Sequence, residues 1–234
     1  MILSVIIPVF NEEGTIEPLL RKVNKVKISG VRKQLIVVDD CSTDNTSQIL
    51  SSLKDIKFLY LRQKSNMGKG AAVRMGLKEA KGDFVIIQDA DMEYNPEDYA
   101  KLLQPILERK TKVVYGTRLT NYPLKFWGPD KTVLPVHLLA NYFLTFLVNI
   151  LYGSHLTDME TGYKMFSKEV LKKLNLVSNE FEIEPEITIK TIKLGYTIFE
   201  IPITTKPRSY EQGKKISFID GIIAVFTILK YKLF

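Results

Sequence analysis

Val85-Ile86-Ile87-Gln88-Asp89-Ala90-Asp91-Met92-Glu93-Tyr94-Asn95-Pro96 is an apolar run that breaks off into three carboxylates, and no other stretch so narrows the folds open to this chain. The run is short, β-rich and led in by the turn signal Lys81-Gly82-Asp83, which predicts a buried strand. Strand side chains alternate with period two, so Asp89, Asp91 and Glu93 are expected on one face, with Ala90 turned away. That face lies at the strand's carboxyl end, where open α/β sheets place their ligands. Carboxylates packed this closely repel one another unless protons are retained or a cation sits among them. Mg2+ or Mn2+ fits best, because hard ions take oxygen ligands and commonly share them with substrate phosphates. The implied ligand is a metal-bound diphosphate. The competing reading is an acidic corner in which Asn95-Pro96 opens a helix and the acids are solvated or cap it.

The rest of the chain decides between these. Residues 3–9 form a strand that runs into Asn11, expected to cap a helix carrying Glu12 and Glu13 in its first turn. A second strand over 34–40, which includes Val37, also ends in carboxylates, Asp39 and Asp40. A third strand at 58–61 is followed by a helix from 70 to 80 closing on Gly82. After the central strand come a helix from 96 to about 109 and a strand at 113–116 leading to Arg118. Strands alternating with helices over 1–118 predict a doubly wound, mostly parallel sheet with a crevice at its carboxyl edge. A dinucleotide fold is excluded by a first turn, Pro8-Val9-Phe10-Asn11-Glu12, that has no G-x-G-x-x-G. Asn66-Met67-Gly68-Lys69-Gly70 is not a P-loop, and its glycines fit a tight turn, with Lys69 a minor phosphate candidate.

The 234 residues, 45% hydrophobic and 25% charged, suit one α/β domain. A single cysteine, Cys41, excludes an internal disulfide, and two histidines, His137 and His155, argue against a zinc cluster. A net charge of +7 suits a polyanionic partner: nucleotide, nucleic acid or an anionic membrane face. The chain shows no helix-turn-helix, zinc-finger or RNP signature, so no nucleic-acid partner is expected. Residues 133–152 are long and apolar enough to suggest a membrane span. However, His137, Asn141, Thr145 and Asn149 recur every four positions as one polar stripe. A helix buried under the sheet and a helix lying in a bilayer interface both fit. A second apolar run, 218–229, is too short to span and is followed by Lys230 and Lys232. Residues 206–234 hold six basic and two acidic residues, a local net of +4, which favours anionic lipid.

In order and spacing, SVIIPVFNEE, VVDDCSTDNT, NMGKGAAVRMG and DADMEYNP resemble the family 2 glycosyltransferases of GT-A fold. The likeness continues through YGTRL, LTDMETGYKMF, FEIEPEIT and PRSYEQGKKI, and is strongest to the dolichyl-phosphate mannose synthase group and related polyprenyl-phosphate glycosyltransferases. It covers essentially the whole chain. The resemblance implies a GT-A-type mixed, mostly parallel sheet with C-terminal interfacial helices, divided into a nucleotide-sugar-binding half over 1–118 and an acceptor-side half over 119–234. It also implies that Pro8, Phe10 and Glu12 contact the nucleotide, that Asp39 binds the base, and that Asp89 and Asp91 hold the metal and diphosphate. Val37 and Ala90, beside those acids, complete the donor set. Glu93 joins the metal set, in a place where mannose synthases often carry glutamine. Arg118 and Arg208 approach the phosphates, and Lys214 and Lys215 lie in a loop that closes over the donor, with the glycine of Gln212-Gly213-Lys214 as its pivot.

The expected activity is metal-dependent, inverting transfer of a hexose from GDP-mannose or UDP-glucose to a polyprenyl or dolichyl phosphate, by a protein peripherally attached at the cytoplasmic membrane face. Asp91, Asp158, Arg118 and Arg208 are the expected catalytic groups. A phosphate acceptor is already anionic near neutral pH and needs no strong base. A hydroxyl acceptor would need one, with Asp158 or Glu160 the candidates. Transfer to a glycan or other hydroxyl acceptor is therefore the alternative, followed by a nucleotide-binding protein without turnover.

Overall fold

The computed structural model describes residues 1–121, 134–209, 211 and 213–233. Val133 and Gln212, named above, lie outside that set. The chain runs through β1 (Ile2–Val9), α1 (Ile16–Lys25), β2 (Arg32–Asp39), α2 (Thr46–Ser52), β3 (Leu59–Arg62), α3 (Lys69–Glu79) and β4 (Phe84–Ile87). It continues through α4 (Tyr99–Leu107), β5 (Val113–Thr117), α5 (Pro135–Tyr152), β6 (Lys164–Ser167), α6 (Lys168–Leu171), α7 (Ile183–Lys193), β7 (Ile198–Pro202) and α8 (Phe218–Leu233).

The strands form one seven-stranded sheet in the order β3-β2-β1-β4-β6-β5-β7. β6 is antiparallel to both β4 and β5, and the remaining pairs are parallel. This is the mixed, mostly parallel sheet expected. Ile6 pairs with Ile36 on one side and Ile87 on the other, so the carboxyl ends of β1, β2 and β4 meet at one edge. β1 is buried along nearly its whole length, as a central strand covered on both faces must be. On one face α1 buries Ile16, Leu19, Leu20 and Val23. On the other, α3 lies so close to the sheet that a Cβ on Gly76 would stand 2.6 Å from Ile6 Cγ2.

Three local expectations fail. β4 stops at Ile87 and Met92 adopts φ 63°, so the alternation that put Asp89, Asp91 and Glu93 on one strand face does not extend to them. The helix expected at Asn11 begins instead at Ile16. Asn11 is left-handed, with φ 49°, and its Oδ1 accepts from Thr43 N at 2.8 Å, tying the β1 turn to the β2 turn. Gly82 does not close α3, whose cap is Ala80; it lies against Ser4, and its N–H donates to Ser4 Oγ at 2.9 Å.

Hydrogen bonds settle which way the faces of α5 point. Its polar residues point inward: Thr145 Oγ1 accepts from Met159 N at 3.1 Å, and Asn149 bonds both the N–H and the C=O of Leu156, at 2.9 and 2.8 Å. Its outer face is apolar, with Val136, Leu139, Phe143, Phe146 and Ile150 exposed. Beneath it, Leu144 and Val148 pack with Ile189 of α7 and with Ala224 and Ile228 of α8.

Candidate active site

A cavity of about 850 Å³ opens at the carboxyl edge of the sheet. Pro8, Phe10 and Glu12 from the end of β1 line it, as do Asp89, Ala90, Asp91 and Glu93 after β4. Arg118, Arg208 and Lys214 complete its polar wall. Every predicted donor residue therefore faces one space except Val37 and Asp39. Val37 is buried in the core on β2. Asp39 is fully buried too, its Oδ1 accepting from Ser42 N at 2.8 Å and its Oδ2 from Tyr60 Oη at 2.9 Å. The cavity is reached instead by Asp40, whose oxygens accept from Met67 N and Gly68 N, both at 2.8 Å.

The acids of the cavity are met by cations from the same chain. Arg208 grips Glu12 through Nη1 and Nη2, at 3.1 and 2.9 Å, and reaches Asp91 at 3.5 Å. Lys215 joins Glu12 at 2.7 Å, and Lys214 pairs with Glu93 at 2.9 Å. Glu93 also accepts from Arg208 N at 3.0 Å, which pins the basic segment over the crevice. Burial pushes Glu12 upward, but the hydrogen bonds from Arg208 and Lys215 outweigh it and leave the carboxyl below its ordinary value. Asp91 fares differently: burial, then the charges of Asp89 and Glu93, push it up to about 6.

Sequence reasoning offered Lys69 only as a phosphate candidate and missed it as the partner of Asp89. Lys69 at the start of α3 reaches Asp89 at 2.7 Å and Glu184 of α7 at 2.9 Å, and Glu184 is also held by the buried Lys164. Burial works against the Lys69 charge, but the two carboxylates overcome it and hold the ammonium above its usual range. A lysine in a glycine-rich turn was the one available signal. Nothing local pairs it with Glu184.

The loop between α5 and β6 forms the opposite wall. Asp158 is fully buried behind that wall and holds Arg118 at both ends of the guanidinium, Nε at 2.7 Å and Nη2 at 2.8 Å, while also accepting from Arg118 N at 2.9 Å. Gly162 N donates to Tyr94 Oη at 2.8 Å, and any side chain at Gly162 would collide with Asp89 Oδ2. Between these anchors Glu160 faces the cavity, its Oε1 buried without a hydrogen-bond partner.

Among the described residues no three acids, histidines or cysteines gather as a ready metal site. The three-acid set expected from strand alternation is not preassembled, because Glu93 turns to Lys214 and to the backbone of Arg208. Asp89 and Asp91 still fit a divalent ion shared with a diphosphate. They offer hard oxygen donors to an open space, and Asp91, raised by burial and by its neighbours' charge, has no cation nearer than 3.5 Å among the described residues.

Residues 4–175 match the family model described as Glycosyl transferase family 2. The chain is 31% identical over 235 residues to an uncharacterized protein of Methanocaldococcus jannaschii, covering 98% of this chain and 92% of that one. It is 29% identical over 251 residues to the UDP-N-acetylglucosamine–dolichyl-phosphate N-acetylglucosaminyltransferase of Methanococcus voltae, covering 99% and 96%. Among solved structures it superposes on glucosyl-3-phosphoglycerate synthase from Mycobacterium tuberculosis, in complex with Mg2+ and uridine diphosphate. The TM-score is 0.72 at 22% identity, over 98% of this chain and 78% of that one, a likeness of GT-A fold.

Proposed function

The chain belongs to glycosyltransferase family 2, and on that premise we propose that it transfers a sugar from a nucleoside-diphosphate donor to a polyprenyl phosphate. One observation carries the reading. The cavity that holds Asp89 and Asp91 continues without a break between α5 and α8, where Leu138, Phe143, Ile222 and Val225 line it. A charged donor crevice joined to an apolar cleft suits an acceptor with an anionic head and a hydrocarbon tail. The name of the Methanococcus voltae relative makes UDP-N-acetylglucosamine the first donor to test, ahead of UDP-glucose and GDP-mannose.

In this reading residues 1–118 bind the donor and residues 119–234 supply the acceptor side. A divalent ion on Asp89 and Asp91, Mg2+ or Mn2+, supplies Lewis-acid neutralisation of the diphosphate. Arg208 and Lys214 exchange Glu12 and Glu93 for the phosphates as the donor enters. Arg118, oriented by Asp158, faces the acceptor phosphate. That phosphate has its second pKa near 6, so its oxygen attacks the sugar's anomeric carbon without a strong base. The bond to the diphosphate breaks and the nucleotide leaves with the electron pair, inverting the centre. The outward apolar faces of α5 and α8, with the basic residues of 206–232, would rest on the cytoplasmic surface of an anionic membrane.

The test is transfer of labelled sugar to a short polyprenyl phosphate in liposomes, with each donor in turn. Lipid-linked product that disappears in excess chelator is expected. Equal transfer to a water-soluble glycan, with no lipid product from any donor, would overturn the acceptor assignment.

A further inference from the structure

Among the described residues two acids of the cavity wall, Glu160 and Glu184, keep a buried oxygen without a hydrogen bond, but that of Glu184 faces Lys69 at 2.9 Å whereas that of Glu160 meets no cation. Its loop is fixed on both sides, by Asp158 on Arg118 and by Gly162 against Asp89 and Tyr94, so the side chain is held at the cavity by packing. The charged groups around it are Lys164, Glu184, Arg118 and Asp158. Each is committed elsewhere: Lys164 to Glu184 and to the carbonyls of Met159 and Thr161, and Arg118 to Asp158. A buried polar atom without a partner is costly to keep, and a wall this well ordered could have buried an apolar residue instead.

We propose that Glu160 recognises the transferred sugar, its free carboxylate oxygen accepting a hydrogen bond from a ring hydroxyl or from the amide N–H of an acetamido group. This rests on the donor reading above. Three observations direct it to the sugar. Glu160 lies two residues from Gly162, which abuts Asp89, so the ligand portion beside it is the one joined to the diphosphate. The ionised acceptor phosphate does not supply the donor this oxygen lacks, because its oxygens accept hydrogen bonds rather than donate them. A sugar donates hydrogen bonds without bringing charge. Burial pushes the Glu160 carboxyl up to about 7, a group that gains by receiving a donor.

Calorimetry with Mn2+ tests the assignment, using UDP, UDP-glucose and UDP-N-acetylglucosamine as the probes. The readout is the factor by which a sugar tightens binding beyond UDP alone. Glu160→Ala should remove about 10- to 100-fold of that factor, as expected for a hydrogen bond to a charged group, and leave UDP affinity unchanged. Glu160→Gln, which keeps an acceptor oxygen, should restore part of it. Loss with both sugars identifies a hydroxyl, and loss with UDP-N-acetylglucosamine alone identifies the amide. A sugar factor equal in wild type and Glu160→Ala overturns the inference while leaving the transferase reading intact. Failure of the wild type to bind any nucleotide overturns both.

Discussion

The sheet edge and the α5–α8 layer handle their unlike groups in opposite ways. At the sheet edge the chain answers its own charges: Asp89 has Lys69, Glu12 has Arg208 and Lys215, and Glu93 has Lys214. In the α5–α8 layer the chain leaves its apolar groups unanswered. Phe218 is 76% exposed, Phe226 69% and Phe146 59%, while Thr145 and Asn149 are spent on interior hydrogen bonds. The first arrangement is largely closed in charge. The second leaves its apolar side chains open to the outside.

The largest effect should come from breaking the closed side. Lys69→Met strands Asp89 and Glu184 without their shared cation, and removing one member of a buried pair costs about 3–5 kcal/mol. Denaturant unfolding measures this. The control is Lys112→Met, because Lys112 and Glu169 are half-exposed and such pairs contribute at most about 1 kcal/mol. If the two variants unfold alike, the sheet edge is not held by its internal pairing.

Next, Asp91→Asn should cut turnover by about 10²–10³-fold, the range for losing one charge-stabilising group. Its stability should hold or rise at pH 8. The carboxyl is pushed up to about 6 in the folded protein, so its ionised form weakens the fold above that pH, and asparagine removes the penalty. Full turnover of this variant in excess chelator would end the metal assignment.

The open side should respond in reverse. Replacing Phe143, Phe146 and Phe226 together by Ser should abolish co-sedimentation with anionic liposomes while changing stability by about 0.5 kcal/mol or less per site, as at exposed positions. Leu19→Ala, in the core under α1, should cost about 2–5 kcal/mol and leave liposome binding unaltered. A triple variant that still sediments would sink the membrane surface.

The smallest effect is a pH signature at Glu160. Its folded pKa, about 7, lies above that of the unfolded chain, so the stability this raised value confers is complete at low pH and is lost as pH rises through 7. Thermal melts should show Glu160→Gln more stable than wild type at pH 8, by a few degrees, with the gap closing by pH 4.5. A gap of the same size at both values would show that Glu160 does not titrate in this range.

What the sequence disclosed was local. Apolar runs of four to eight residues located β1, β2, β4 and β5, and the acids at their ends marked the functional edge, because burial and strand direction are written in neighbouring residues. The antiparallel insertion of β6 between β4 and β5 was not written there. It depends on where a strand 80 residues after β4 finds an open edge. Lys69, Asp89 and Glu184 meet from three distant segments, which no spacing rule reports. Asp39 read as a base-binding acid at a strand end, yet Tyr60 and Ser42 close over it. The stripe from His137 to Asn149 had the right period, but periodicity shows that a helix has two faces and not which one meets the protein.

The inward hydrogen bonds of α5 have a consequence for altitude. Thr145 and Asn149 tie the helix to Met159 and Leu156, the residues flanking Asp158, so the loop that orients Arg118 is hung from the same rod whose far side would float on lipid. A helix with its side chains is about 10 Å across. The cation facing the acceptor would then be carried at a set height above the hydrocarbon, near the level of a lipid's phosphate, and any tilt of the rod would raise or lower the reaction with it.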